Sequence, residues 1–184
     1  MQFRFISAAL ASALMLVSGA AIAENPQVGG APMYEDKNIV ENAVNSADHT
    51  TLVAAVQAAG LVETLQGEGP FTVFAPTNAA FAALPAGTVD TLLKPENKDA
   101  LVKVLTCHVV GKAVLAEALE GMIADDKGTH PVPTLGGCTL QATLDGETIK
   151  LTDETGGTAT VTIADVKQSN GVIHVIDKVL LPKS

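Results

Sequence analysis

The chain has 184 residues, with 11 Lys and Arg against 20 Asp and Glu, and a formal charge of −9 at neutral pH. That length fits one compact domain with an appendage. Only six residues are aromatic and none is Trp, which nearly excludes a stacking platform for bases or sugars. The acidic balance also argues against a nucleic-acid partner, because such a partner requires a positive protein surface.

Residues 1–23 carry the three parts of a secretory signal peptide: a basic start at Arg4, an apolar run over 5–17, and Ala21-Ile22-Ala23. A retained membrane anchor is the alternative, because the stretch approaches the ~20 residues that span a bilayer. Ser and Gly residues dilute the run, so cleavage is favoured, with Glu24 as the first mature residue. The mature chain is then expected in the periplasm or secreted to the exterior, without direct insertion into a membrane.

The expected compartment decides how the two cysteines, Cys107 and Cys138, are interpreted. An even number of cysteines in an oxidising space favours a disulfide. The 31-residue separation would contribute about 3–4 kcal/mol in the loop-entropy description. The alternative is a free, nucleophilic Cys107 with Cys138 as its resolving partner.

Residues 24–36 contain Pro and Gly without apolar periodicity, which predicts a flexible lead-in before a domain over 37–184. Apolar residues then recur at helical spacing as far as Leu119, and Gly121 is predicted to end the last helix. Between these helices, the β-branched and aromatic run Phe71–Ala75 predicts a buried strand, and Thr106–Val110 predicts another. The predicted helices cover 39–44, 52–59, 61–66, 79–84, 88–93, 95–105 and 114–119.

After Gly121 the apolar period changes from helical to two. Asp145-Gly146 between alternating runs is a strong hairpin signal. The fold class predicted is α+β, with small helices from the first half packed on an antiparallel β meander from the second half. The predicted strands of the second half cover 138–144, 148–152, 158–164, 172–176 and 179–181.

Several residues are assigned architectural roles by their surroundings. Phe71, Phe74 and Phe81 lie within eleven positions of an Ala-rich chain and are expected to anchor the core together. Thr77 and Asn78 follow Pro76 and are expected to fix the corner between strand and helix by accepting backbone N–H groups.

Histidines beside apolar residues are expected to be buried and hydrogen-bonded. His108 follows Cys107 directly, and on a strand neighbouring side chains point to opposite faces, so a Cys-His dyad is geometrically poor. His174 lies between Ile173 and Val175 and receives the same interpretation. Asp177, at the end of that strand, is expected to bond a backbone N–H or a histidine.

No common catalytic motif or phosphate loop occurs in the sequence, so neither an enzyme nor a cofactor is predicted. His49 and His130 lie near carboxylates. Their spacing matches no compact zinc or calcium signature, so no metal site is predicted either.

Two long segments, 69–81 and 170–182, closely resemble the first and second signatures of fasciclin domains. Between them, His108-Val109-Val110-Gly111-Lys112 is similar to the central signature of that family, and the similarity covers about 37–182. The resemblance implies a wedge of β-strands flanked by small helices in a secreted or surface protein that mediates adhesion. The family usually has Tyr before the central His, where this chain has Cys107, so an integrin-type contact is not implied.

The sequence therefore predicts a secreted, non-catalytic adhesion or binding module that acts as a monomer at the cell surface or in the extracellular matrix. Its partner would be a surface protein or a polysaccharide. A thiol redox protein or enzyme that uses both cysteines, and a small-ligand carrier, are the alternatives. The candidate binding residues are predicted to form exposed rims of the signatures: Asn78, Ala79, His108, Asp177, Lys178, Val179 and Leu180.

Overall fold

A seven-stranded sheet with apolar residues packed on both faces organises the chain. The computed structural model describes residues 25–183. The predicted signal peptide over 1–23 and the predicted mature start at Glu24 therefore lie outside the described residues.

Seven α-helices are present in the described residues, and all but one lie before the cysteine at position 107. All seven begin within three residues of the start of a predicted helix. They are α1 (Ile39–Ala43), α2 (Thr50–Ala59), α3 (Val62–Gln66), α4 (Asn78–Ala82), α5 (Thr88–Leu92), α6 (Lys98–Thr106) and α7 (Ala116–Asp125).

The strands form one small hairpin and the large sheet. Their order in the large sheet is the fourth, third, ninth, eighth, seventh, sixth and fifth along the chain. They are β1 (Gln27–Val28), β2 (Ala31–Pro32), β3 (Phe71–Pro76), β4 (Val109–Val110), β5 (Thr129–Pro133), β6 (Thr139–Asp145), β7 (Thr148–Thr152), β8 (Thr158–Gln168) and β9 (Gly171–Ile176).

The antiparallel meander predicted for the second half is confirmed, since β5 to β9 pair with their neighbours in chain order. Strand β3 then pairs with β9 in parallel, from Phe71 opposite Gly171 to Pro76 opposite Ile176. This pairing sets the two long signature segments side by side. At its start, a Cβ on Gly69 or Gly171 would collide with the facing backbone, so glycine is required at both positions.

Two apolar cores lie on opposite faces of the central strands. The first packs the helices α1 to α4 and α6 against residues such as Val73 and Ile173, and the second packs α7 against Phe74 and the meander. Phe81 belongs to the first core, and Phe71 is only half-buried. The expectation that the three phenylalanines anchor one cluster is therefore wrong, because side chains alternate across β3.

The segment 24–36 was predicted to be a flexible lead-in, and this is wrong for its described part. Strands β1 and β2 form a hairpin whose Val28 and the following Met33 are only 4% and 2% exposed and enter the first core. The hairpin is fastened by the N–H of Ala47, which donates to the Gly29 carbonyl oxygen at 3.3 Å. Two-residue strands are too short to produce an apolar period, so the sequence carried no signal for them.

The predicted strand over 106–110 begins too early. Helix α6 continues to Thr106, Cys107 caps it, and only Val109 and Val110 are extended. Helix α7 passes through Gly121 and ends at Asp125, because one exposed glycine lowers helix stability by only ~1 kcal/mol.

Two further strand assignments differ from the structure. Strand β5 was not predicted, since Pro131 and Pro133 are unusual in strands; both are tolerated because β5 is an edge strand. Residues 179–181 were predicted as a strand and are irregular instead, although Val179 and Leu180 are buried.

Candidate functional site

The parallel strands β3 and β9 end side by side, which brings the ends of both signatures to one edge of the sheet. The N–H of Thr77 donates to the Ile176 carbonyl oxygen at 3.3 Å across this edge. Immediately beyond lie Ala79 and the pair Asp177-Lys178, all three exposed. We call Ala79, Asp177 and Lys178 the signature edge; these are three of the seven predicted binding residues.

Asn78 lies beside the signature edge but its side chain is used internally. Its Oδ1 accepts the backbone N–H of Thr51 at 3.0 Å and the hydroxyl of Thr50 at 3.2 Å. Its Nδ2 donates to the Ala47 carbonyl oxygen at 2.8 Å. Asn78 therefore joins α4 to the start of α2, while the predicted corner cap is supplied by Thr77, whose hydroxyl accepts the Ala80 N–H at 3.3 Å.

Asp177 is fixed by a reciprocal pair of bonds to β8. Its backbone N–H donates to the Thr160 carbonyl oxygen at 3.2 Å, and its Oδ1 accepts the Thr160 N–H at 2.7 Å. The expectation that this carboxylate bonds a backbone N–H is confirmed. The bond orients the exposed Asp177 and sets the position from which Lys178 projects.

His108 is an interior residue, contrary to its predicted place on an exposed rim. It lies in the turn between α6 and β4 and is 2% exposed. Its Nδ1 bonds the Val104 carbonyl oxygen at 2.8 Å, and its Nε2 accepts the Leu180 N–H at 2.9 Å. The Nδ1-protonated neutral tautomer alone satisfies both bonds. Burial lowers the pKa of His108 to about 4, against the opposing effects of the Val104 carbonyl and Asp153.

Val179 and Leu180 are also interior residues, so they cannot form an exposed rim as predicted. Leu180 is 1% exposed and packs in the second core. They belong to the second signature, whose rim was predicted to be exposed. Val179 packs in the first core and Leu180 in the second, among residues far away in the chain, so their burial has no local trace in the sequence.

Cys107 and Cys138 are joined in a disulfide, as predicted, with their Cα atoms 5.4 Å apart. The bond ties the end of α6 to the loop before β6. Two backbone bonds reinforce the same connection: Gly136 N–H donates to Thr106 at 3.0 Å, and Leu135 N–H donates to Val109 at 2.8 Å. Both cysteines of the chain are thus oxidised and buried, so the thiol alternative has no free nucleophile in this structure.

His174 and Asp165 form a second internal connection. His174 is buried; its Nδ1 accepts the Asp165 N–H at 3.2 Å and its Nε2 donates to the Val114 carbonyl oxygen at 2.8 Å. Burial lowers its pKa. Asp165 adopts φ +57° at an irregularity of β8, and its Oδ1 accepts the Ala116 N–H at 2.7 Å at the start of α7. The internal role predicted for His174 is confirmed, whereas Asp165 was missed.

Asn170 was also missed, although it opens the second signature. Its Oδ1 accepts the Ile39 N–H at 3.0 Å, and its Nδ2 donates to the carbonyl oxygens of Leu65 at 2.7 Å and Gly67 at 3.0 Å. One side chain thus joins the first and third helices to the β8–β9 turn. The sequence feature that could have identified Asn170 was its position directly before Gly171 in the second signature.

Residues 25–183 contain no group of three His, Cys, Asp or Glu side chains that could hold a metal ion. Of the histidines considered for metal binding, His49 is buried with its Nδ1 2.8 Å from the Ser46 hydroxyl, and His130 pairs with Asp126 at 2.6 Å. An apolar cavity among the first three helices has a volume of about 40 Å³. That volume is far below the roughly 300–1,000 Å³ of small-molecule pockets, so this interior cavity gives the small-ligand alternative no support.

None of the helices within 25–183 has both the length and the apolar character that crossing a bilayer requires.

A model of the fasciclin domain matches residues 47–182, which is most of the chain. The chain belongs to the fasciclin family.

Relatives in this family come from bacteria and animals. Protein sll1483 of Synechocystis sp. is 54% identical over 78% of this chain and 73% of its own length. Immunogenic protein MPB70 of Mycobacterium bovis is 38% identical over 76% of this chain and 66% of its own length. A pair of FAS1 domains from Fasciclin I, an insect cell adhesion molecule, aligns with a TM-score of 0.68 and 17% identity, covering 79% of this chain and 51% of that one. This likeness confirms the fold expected of a fasciclin domain.

Proposed function

We propose that this protein is a secreted, non-catalytic adhesion module that docks a surface protein or a polysaccharide at the signature edge. The observation that carries the proposal is that some signature residues form internal hydrogen bonds whereas others are exposed at one edge. His108, His174, Asn78 and Asn170 are used in internal hydrogen bonds, whereas Ala79, Asp177 and Lys178 are exposed together. Exposed polar groups held by a rigid frame are the usual composition of a docking surface.

The charge of the protein restricts the partner. The mature chain would carry ten Lys and 20 carboxylates, a formal charge of −10, so an anionic membrane is an unfavourable direct partner. At the signature edge a carboxylate and an ammonium group are adjacent in sequence, next to the methyl group of Ala79. That combination suits a partner with its own mixed polar groups and no strong net charge.

Three further observations support this proposal. The predicted signal peptide and the buried disulfide agree with the periplasm or the exterior as the site of action. The fold is shared with a cell adhesion molecule. Both cysteines are bonded, which removes the thiol on which the enzymatic alternative depends.

The test is saturation binding of the purified, disulfide-intact protein to intact cells and to isolated cell-surface material. The variants Ala79→Glu and Lys178→Glu should weaken binding about tenfold, as expected for central contact residues. Lys167→Glu is the matched control, because Lys167 is exposed near the opposite end of β9 and undergoes the same charge change. A lack of saturable binding would contradict the proposal. Weakening of binding by Lys167→Glu to the same extent as by Lys178→Glu would also contradict it.

A further inference from the structure

The last four described residues, 180–183, form a segment that we call the C-terminal strap. Each of its backbone N–H groups donates to an ionisable side chain. Leu180 donates to His108 Nε2 at 2.9 Å, Leu181 to Asp153 Oδ2 at 2.8 Å, and Lys183 to Glu154 Oε2 at 3.1 Å. Pro182 has no N–H to donate. The backbone N–H groups of the strap therefore bond side chains, whereas strand β9 pairs with the backbones of β3 and β8.

The three acceptors come from two places that the strap crosses. His108 lies in the turn after α6, while Asp153 and Glu154 lie in the turn after β7. Asp153 is the charged group that acts on buried His108. On the exposed side, Lys103 and Lys183 act on Glu154, and Lys103 Nζ also donates to the Lys183 carbonyl oxygen at 3.2 Å.

Each acceptor binds its N–H best before it takes up a further proton. His108 already uses Nδ1 for the Val104 carbonyl oxygen, so an added proton must go to Nε2, where it would face the Leu180 N–H. That proton would also place a charge on a residue that is 2% exposed, next to buried Leu180. Protonation of Asp153 and Glu154 would weaken their charge-assisted bonds to Leu181 and Lys183.

We propose that the C-terminal strap is an acid-released latch: protonation of His108, followed by the two carboxyl groups, detaches residues 180–183 while the rest of the domain stays folded. Release uncovers the apolar side chain of Leu180 and frees the chain directly after the signature edge. The latch itself is independent of adhesion. Its consequence for docking rests on the proposed function.

The opening should depend steeply on pH. The pKa of His108 is about 4 in the closed state, and an opened strap would return it toward its ordinary value of 6.5. Linkage between protonation and opening then predicts that the open fraction rises by tens of fold, and at most about 80-fold, from pH 7 to 4.5.

Hydrogen exchange of the intact protein, measured by NMR at pH 7 and 4.5, tests the latch. Protection factors corrected for intrinsic exchange should be lower for Leu180 and Leu181 than for Val175 in the middle of β9 at both pH values. The protection of Leu180 should fall by tens of fold at the lower pH. Equal protection of Leu180 and Val175 would mean that the strap opens only with the whole domain and would overturn the proposal, as would a Leu180 protection factor that does not change with pH.

Two variants separate the latch from general acid sensitivity. His108→Gln supplies a carbonyl oxygen that does not titrate in this range, so the fall in Leu180 protection should shrink to less than about twofold. His130→Gln is the control, because His130 is paired with Asp126 on another part of the surface, and it should behave as wild type. The same pH dependence in His108→Gln as in wild type would overturn the proposal.

Asp153→Asn provides an independent measurement, since it imitates the protonated carboxyl group at neutral pH. It should lower the protection of Leu181 at pH 7 without acid, and unchanged protection would contradict the latch. These outcomes do not depend on adhesion. If the latch is confirmed but cell binding is absent, only the proposed function fails.

Discussion

Asn78 Oδ1 accepts the backbone N–H of Thr51 at 3.0 Å, so a residue at the start of α4 caps the first turn of α2 from 27 positions away. The residue at the cap position of α2, His49, makes no side-chain capping bond of its own. The signature residue Asn78 thus couples the strand-to-helix corner of β3 to the helical layer.

Replacing Asn78 should destabilise the domain through this coupling. Asn78→Ala removes three side-chain bonds, including the helix cap, and should lower the free energy of unfolding by about 1–2 kcal/mol. Urea denaturation measures the change. Asn45→Ala is the matched control, since exposed Asn45 makes one bond within its own helical turn and should lose no more than about 0.5 kcal/mol. Equal effects of the two substitutions would contradict the assigned role.

The two phenylalanines of β3 should differ in their contribution to stability. Phe74 is 1% exposed, packs in the second core and stacks on His174 with ring centroids 5.7 Å apart. Phe74→Ala should therefore lower the free energy of unfolding by about 3–5 kcal/mol. Phe71→Ala should have a clearly smaller effect because its side chain is only half-buried. Denaturant unfolding of both variants decides the order, and the reverse order would contradict the assigned packing.

Stability should fall as the pH drops below about 6.5. Burial lowers the pKa of His108, His49 and His174 in the folded protein, so the unfolded chain takes up protons first. Their contribution to stability is complete above pH 6.5 and is lost as the pH falls toward the folded pKa values. For His108, with a folded pKa of about 4, the loss amounts to about 3 kcal/mol.

Urea denaturation at pH 7 and 4.5 measures this loss, with His108→Gln as the informative variant. Its stability should change less between the two pH values than that of wild type, because one of the three titrating histidines is gone. His130→Gln should follow the wild-type profile. Stability that is constant down to pH 4.5 would contradict the burial of these histidines.

The disulfide should be both inaccessible and stabilising. Thiol titration of the native protein should detect no free thiol, and titration after unfolding and reduction should detect two, since the chain has two cysteines. The double variant Cys107→Ala, Cys138→Ala should lose about 3–4 kcal/mol of stability, because it frees a 31-residue loop in the unfolded chain. A reactive thiol in the native protein would revive the alternative of a thiol enzyme.

The sequence predicted the main elements well where the determinants are local. Phe71–Ala75 was recognised as a strand by its β-branched and aromatic residues between two prolines, and the meander by its period of two around Asp145-Gly146. The hairpin of Val28 was missed because two-residue strands have no period, and β5 was missed because its prolines are tolerated only at an edge. His108 was correctly predicted to be hydrogen-bonded, yet its partner Leu180 lies 72 positions away.

The amino-acid sequence by itself determined the family, the α+β class, the disulfide partners and the place of both signatures, since these depend on residue type and spacing along the chain. Only the tertiary structure decided which signature residues face solvent. The parallel pairing of β3 with β9 exposes Ala79, Asp177 and Lys178 together, and the crossing of the C-terminal strap over His108 and Asp153 buries Leu180. Both arrangements join residues far apart in the chain, and burial follows from such contacts rather than from the identity of a residue or its neighbours.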